Sequence, residues 1–147
     1  QMNEAVALQT KTDIVIAIKG LIIHQGKALI LQRADHDDVG AGTWECVGGK
    51  LEFGEEIEGS LIREVKEEAG IDISIEKLLY ATTFQTDPTR QVVVLKYLCS
   101  CQTDTVLLSD EHKDFRWVPK DEAKQLLSEG ILHDFEKHGI FCLKEWK

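Results

Sequence analysis

Proline is scarce in this chain, two residues in 147, and no tract rich in it or in any other residue marks a linker between domains. No apolar run approaches the roughly 20 residues that span a bilayer. The N-terminus also lacks the basic and apolar regions of a signal peptide, so a cytoplasmic location without a membrane partner is the default expectation. Lys and Arg total 17 against 26 Asp and Glu, a net charge of -9, and they form no cluster. That argues against a broad surface for a nucleic-acid polymer, which needs grouped cations to neutralise phosphates. An acidic chain still meets phosphates through bound metal ions. The four cysteines, Cys46, Cys99, Cys101 and Cys142, lack Cys-x-x-Cys spacing and read as buried free thiols rather than a zinc or redox site. The five histidines, His24, His36, His112, His133 and His138, show no spacing that demands a metal.

What remains is 43% hydrophobic and 29% charged residues, the balance of a globular protein. The length suits one domain with its own core, expected over residues 3–147. Gln1 ahead of Met2 is read as a remnant of cloning or processing. Alternation and β-branched residues predict strands over 14–18, 21–24 and 28–32, with Gly26 at a turn and a loop over 34–43. A short strand over 44–47 leads into Gly48 and Gly49, and 50–53 continues extended. A helix is expected from Glu55 or Glu56, with Glu55, Glu56 and Glu58 in a first turn that suits negative charge, and Gly70 placed to end it in a left-handed conformation. Two long strands, 73–84 and 91–101, flank a turn with Asp87 and Pro88. A shorter strand spans 115–118, Pro119 opens a helix to about Ser128, and 131–146 reads as a last helix weakened by Gly139. Strands, helix, strands and helices make the fold class α+β.

Residues 49–71 read GKLEFGEEIEGSLIREVKEEAGI. At 100° per residue, Glu64, Glu67 and Glu68 fall within an arc of about 100° on the predicted helix. Ile57, Leu61, Ile62, Val65 and Ala69 occupy the adjoining arc, so the acidic face borders the buried stripe. Like charges at i, i+3 and i, i+4 repel, and partial burial raises carboxylate pKa values unless a cation sits between them. Mg²⁺ or Mn²⁺, hard and oxygen-seeking, is the natural partner. Arg63 lies one turn before Glu67, close enough to orient its carboxylate, and Gly48-Gly49 lets backbone approach cation and phosphate without an intervening side chain.

A glycine, a glutamate six positions on, Arg63-Glu64, apolar Val65, Glu67-Glu68 and Gly70-Ile71 together match the complete Nudix signature, and the chain resembles the Nudix hydrolases over most of its length. The resemblance implies a mixed β-sheet sandwiched between α-helices. It also implies that Glu64, Glu67 and Glu68 are metal ligands, that Arg63 positions them, that Gly49 is the box glycine, that the Gly48 carbonyl is a further ligand, and that Glu55 is a supporting carboxylate. One departure stands just upstream, where many relatives have proline before the two glycines and this chain has Val47, which leaves the turn less rigid.

Diphosphate hydrolysis needs an activated water, neutralised phosphoryl oxygens and in-line geometry, with a base to take the proton. Relatives use a glutamate of the helix or of a later loop, which makes Glu67 and Glu111 the candidates here. Gly40-Ala41-Gly42-Thr43-Trp44 and Arg33 resemble the segment of the MutT-like branch that removes pyrophosphate from nucleoside triphosphates, including oxidised ones; in that reading Arg33 contacts phosphate or sugar. Trp44 and Phe84 either flank a base or belong to the core. Cleavage of ADP-ribose or a nucleotide sugar is the alternative, since Pro88 stands near where ADP-ribose-cleaving relatives carry proline, although the turn Thr86-Asp87-Pro88-Thr89 explains it equally well. A non-catalytic nucleotide-sensing domain is the alternative of another class, disfavoured by a box in which every carboxylate is present. A homodimer is common among relatives, and Phe141 and Trp146 serve either an interface or the core.

Overall fold

The computed structural model describes residues 11–147, so Gln1 and Met2 lie outside the described residues. The first strand, β1 (Asp13–His24), is continuous where the sequence suggests two. The apparent break at Lys19-Gly20 falls near a change of partner on one edge. There β4 (Val47–Lys50) pairs antiparallel with residues 17–20, and β2 (Lys27–Arg33) takes over at Ile23 and His24. The other edge is covered without interruption by β6 (Arg90–Cys101), which runs parallel to β1. With β3 (Trp44–Glu45), β5 (Ile73–Asp87) and β7 (His112–Val118) these strands form a seven-stranded sheet in the order β3-β2-β1-β6-β5, β4 pairing with β1 and β7 with β2. Asp87 closes the β5–β6 turn by accepting from the Thr89 amide at 2.7 Å and the Thr89 hydroxyl at 2.8 Å, which lets β5 run past Phe84.

Helices cover both faces of this mixed sheet, the α+β architecture that the sequence resemblance implies. Helix α1 (Ile57–Ala69) packs Leu61, Val65 and Ala69 against Ile18, Ile22 and Leu29. Full burial of side chains such as Leu61 and Val65 contributes roughly 1.5–3 kcal/mol each. On the opposite face, α2 (Lys120–Leu126) and α3 (Glu129–Lys137) bring Ala123 and Phe135 onto Leu21, Ile30 and Leu98. Trp146 is buried in that second core and donates from Nε1 to the Val118 carbonyl at 3.0 Å, which gives it a core role. No described helix is long and apolar enough to cross a membrane.

Three local expectations shift. Helix α1 begins at Ile57 with Glu56 as its cap, so Glu55 precedes the helix, and Ile57 and Ile62 are exposed at the ends of the apolar stripe. The last helix stops after Lys137, because Gly139 turns left-handed and only a 3-10 turn (Ile140–Cys142) follows. Cys46, Cys99 and Cys101 are buried free thiols, but Cys142 is exposed.

Candidate active site

Two glycines fix how α1 meets the sheet. At Gly48 the backbone φ is +146°, and a Cβ there would run into the Ile18 carbonyl and Lys19 Cα, so glycine alone fits. A Cβ at Gly49 would lie 2.6 Å from the Glu64 carboxyl group, which places that carboxylate directly over the bare backbone of β4. Left-handed Gly70 ends α1 with its N–H on the Lys66 carbonyl at 3.0 Å.

Along α1 the three glutamates grade from interior to solvent. The side-chain exposure is 5% for Glu68, 16% for Glu64 and 61% for Glu67, the expected result of an acidic arc that borders a buried stripe. Arg63 ties the row together. It donates from Nε and Nη2 to the two oxygens of Glu55 at 2.6 and 2.9 Å, and from Nη1 to Glu64 and Glu67 at 3.1 Å each. These bonds hold the Glu55 carboxyl at about 2, and Glu55 in turn raises the Arg63 guanidinium above its ordinary range. Glu55 also accepts the Glu52 amide at 2.9 Å, fastening the loop ahead of the helix.

The loop before β7 docks on the C-terminal end of α1. Its Leu107 and Ser109 amides donate to the otherwise unpaired carbonyls of Ala69 at 2.9 Å and Glu68 at 3.2 Å. The Trp117 indole N–H holds the same loop by the Asp104 carbonyl at 2.9 Å. This docking carries Glu111 and His112 to Glu68, and one ligand atom from each of the three lies within 4.8 Å of the others. A register shift in the β2–β7 pairing sets His112 opposite Arg33 and Asp114 opposite Gln32. Phe115 and Trp117 pack into the α1-side core, so strict alternation would send Lys113 to that face; the bulge sends His112 instead.

His112 is buried between two carboxylates, with Nε2 2.8 Å from Glu45 Oε2 and Nδ1 3.7 Å from Glu68 Oε1. Burial alone would raise the Glu45 carboxyl, but the His112 hydrogen bond with Lys19 and Arg33 outweighs it and holds Glu45 at about 2. Glu68 is driven the other way, well above the carboxylate range. Desolvation is the largest cause, Lys19 opposes it, and Glu64 and Glu111 add to it. Glu68 Oε2 and His112 Nδ1 are buried without hydrogen-bond partners. Anionic oxygens and an imidazole nitrogen converging on one point suit a divalent cation, so the residues present fit such an ion.

These groups line a cleft of about 960 Å³, rich in charged side chains, that holds Glu64, Glu68, Glu111, Gly48 and Gly49 but not Glu67. A second, mostly apolar cleft of about 590 Å³ adjoins it, lined by Trp44, Phe84, Val94 and Ile131. Lys19, Arg33, Glu45 and Phe84 border both. Arg33 is paired with Glu45 at 3.2 Å and with Asp37 at 3.3 Å at this junction. Phe84 is half exposed in the cleft rather than part of the core, whereas Trp44 is buried, with the Arg116 guanidinium 5.2 Å from its ring centre. The Gly48 carbonyl, expected to face a cation, accepts from Lys19 Nζ at 3.1 Å.

Lys19, Glu45 and His112 escape a reading of the sequence. A lysine inside the apolar run of β1 was the one available signal; Glu45 and His112 depend on a two-residue strand and a bulge.

The family model described as NUDIX domain matches residues 15–135. A nucleoside triphosphatase NudI from Escherichia fergusonii is 32% identical over 115 residues, covering 71% of this chain and 82% of that protein. A CTP pyrophosphohydrolase from Escherichia coli is 31% identical over 108 residues, covering 74% and 78%. Among solved structures, a MutT protein from Methanosarcina mazei superposes with a TM-score of 0.79 at 26% identity, covering 90% of this chain and 98% of that one.

Proposed function

This chain belongs to the Nudix hydrolase family, pyrophosphohydrolases that act on small nucleotides and are generally metal-dependent, and from that premise we propose that it hydrolyses a nucleoside triphosphate to NMP and pyrophosphate. The observation that carries the proposal is the join between the charge-lined cleft and the apolar one through Lys19, Arg33 and Phe84. A phosphate chain fits the first and a flat base the second, as in ligand sites that are mostly apolar with a few converging polar groups. The printed activities of the two relatives, a nucleoside triphosphatase and a CTP pyrophosphohydrolase, support the same reading.

In this reading Glu64 and Glu68 hold Mg²⁺ or Mn²⁺, with Glu67 at the solvent end of the row and Arg63 keeping the carboxylates in position. The cation, when bound, neutralises phosphoryl charge and lowers the pKa of water. Gly48 and Gly49 leave room for the phosphate chain, and Lys19 and Arg33 supply positive charge where the leaving group develops its negative charge. Glu111 is the proton acceptor in preference to Glu67, because Glu111 lines the cleft and Glu67 does not. Water replaces the bridging oxygen at phosphorus, its proton passes to Glu111, and pyrophosphate departs.

The test is incubation with Mg²⁺ and a panel of canonical and oxidised nucleoside triphosphates, ADP-ribose and nucleotide sugars, with products separated by chromatography. NMP and pyrophosphate from a triphosphate support the proposal. AMP and ribose 5-phosphate from ADP-ribose, with every triphosphate left intact, overturn it.

A further inference from the structure

His112 belongs to no part of the signature and is not required by the reading above, yet its setting resembles that of a metal-bound imidazole. Its side chain is 3% exposed, and Nε2 is engaged by Glu45 at 2.8 Å. Glu45 as a carboxylate only accepts, and its charge is fixed by Lys19 and Arg33 at 3.7 and 3.2 Å, so Nε2 is the donor in that bond and Nδ1 is the nitrogen left to face the other way. Nδ1 faces Glu68, whose own Oε2 is also buried without a partner, and a Glu111 oxygen lies in the same group. Two buried polar atoms left unpaired on neighbouring side chains cost free energy that a shared ligand would remove.

The geometry points to His112 Nδ1 as a nitrogen ligand to the cation of this site, oriented from behind by Glu45 in a carboxylate–histidine–metal arrangement. The inference rests on the metal-dependent reading given above and deepens it. Glu68, Glu111 and His112 would hold the cation together, and Glu111 has a second oxygen that could take the proton. An imidazole in a set of carboxylates shifts preference away from Mg²⁺, which favours oxygen alone, towards Co²⁺ and other later first-row ions. Burial of the ligand and its anchoring on β7 through the bulge make the position rigid.

Electron spin-echo spectroscopy of the wild-type protein loaded with Mn²⁺ tests this without nucleotide or turnover. A ¹⁴N coupling at the bound ion is the expected result. In His112→Asn the coupling disappears, and the ratio of Co²⁺ to Mg²⁺ affinity, measured by titration calorimetry, falls at least about 10-fold; in Glu45→Gln the coupling persists with affinity about 10–100-fold weaker. Mn²⁺ bound without ¹⁴N coupling in the wild type overturns the assignment of His112 and leaves the carboxylate site standing. Failure of Mn²⁺ to bind at all overturns both. The wild-type spectrum decides the matter even where a variant does not fold.

Discussion

The Arg63 guanidinium grips the Glu55 carboxylate in a fork, Nε to Oε2 at 2.6 Å and Nη2 to Oε1 at 2.9 Å. This leaves Nη1 to hold Glu64 and Glu67 at 3.1 Å each. One planar cation thus sets the spacing of the carboxylates, a task for which lysine has no equivalent geometry. Arg63→Lys is expected to lower kcat about 100-fold, as a small misplacement of catalytic groups does. Thermal stability should stay within a few degrees, because the pairs are near the surface. Steady-state kinetics beside a thermal melt check the split; a large loss of Tm with normal kcat would contradict the positioning role.

Gly49→Ala and Gly48→Ala separate site geometry from folding. The first places a Cβ 2.6 Å from the Glu64 carboxyl group at a backbone conformation open to alanine, so activity should fall about 100-fold with little change in Tm. The second forces alanine to a φ of +146° and into the β1 backbone. Strain of about 1–3 kcal/mol from the conformation alone lowers Tm by several degrees. Melting curves and kcat for both variants distinguish these outcomes.

Stability should respond to pH in opposite senses through two carboxyls. Glu45, held at about 2 in the folded protein, contributes stability that is present above its unfolded value and lost as pH falls towards 2. Glu68 is raised when folded, so the ion-free protein is favoured at low pH and loses stability as pH rises past the unfolded value of 4.5. In the proposed reading a bound divalent cation takes the place of the Glu68 proton. The rise in Tm on adding Mg²⁺ should therefore be larger at pH 8.5 than at pH 5.5, and should shrink in Glu68→Gln. Melting scans across pH, with and without Mg²⁺, read this directly.

Alkylation should find one thiol. Burial pushes Cys99 up to about 12 and raises Cys101 as well, whereas Cys142 is exposed. At pH 8 iodoacetamide is expected to modify Cys142 and spare Cys46, Cys99 and Cys101, as read by peptide mass spectrometry. Above pH 9 the unfolded chain loses the Cys99 proton first, so stability declines from pH 9 towards 12.

Lys96 is 3% exposed and lines the apolar cleft, its ammonium 5.3 Å from the Phe135 ring centre, and it forms no ion pair with a described carboxylate. An ammonium with no ion-pair partner among the described residues, in a cleft proposed to take the base, suits a carbonyl oxygen there. Lys96→Met is expected to reduce discrimination between guanine or cytosine triphosphates and ATP by about 10-fold or more, read as kcat/KM ratios. Unchanged ratios would remove Lys96 from base recognition.

Those parts of the candidate site that one helix builds locally are legible in the sequence. Glu64, Glu67, Glu68 and Arg63 are related by helical spacing alone, and Gly49 and Gly70 by the turns they permit. Glu45 and His112 were hidden because their orientation comes from a two-residue strand and a register shift, neither of which leaves a periodic trace. The continuity of β1 is likewise invisible, since it is imposed by pairing with β6, whose partner residues lie 77 positions away along the chain. Glu111 stood out only by resemblance; what places it is the docking of its loop on the carbonyls that end α1.

The most direct test of the central claim is ³¹P NMR of a nucleoside triphosphate incubated with the protein and Mg²⁺, alongside Glu68→Gln. The account predicts the paired appearance of NMP and pyrophosphate, abolished by chelation and reduced at least about 100-fold in the variant. Release of orthophosphate and nucleoside diphosphate, or an unchanged rate in Glu68→Gln, would contradict it.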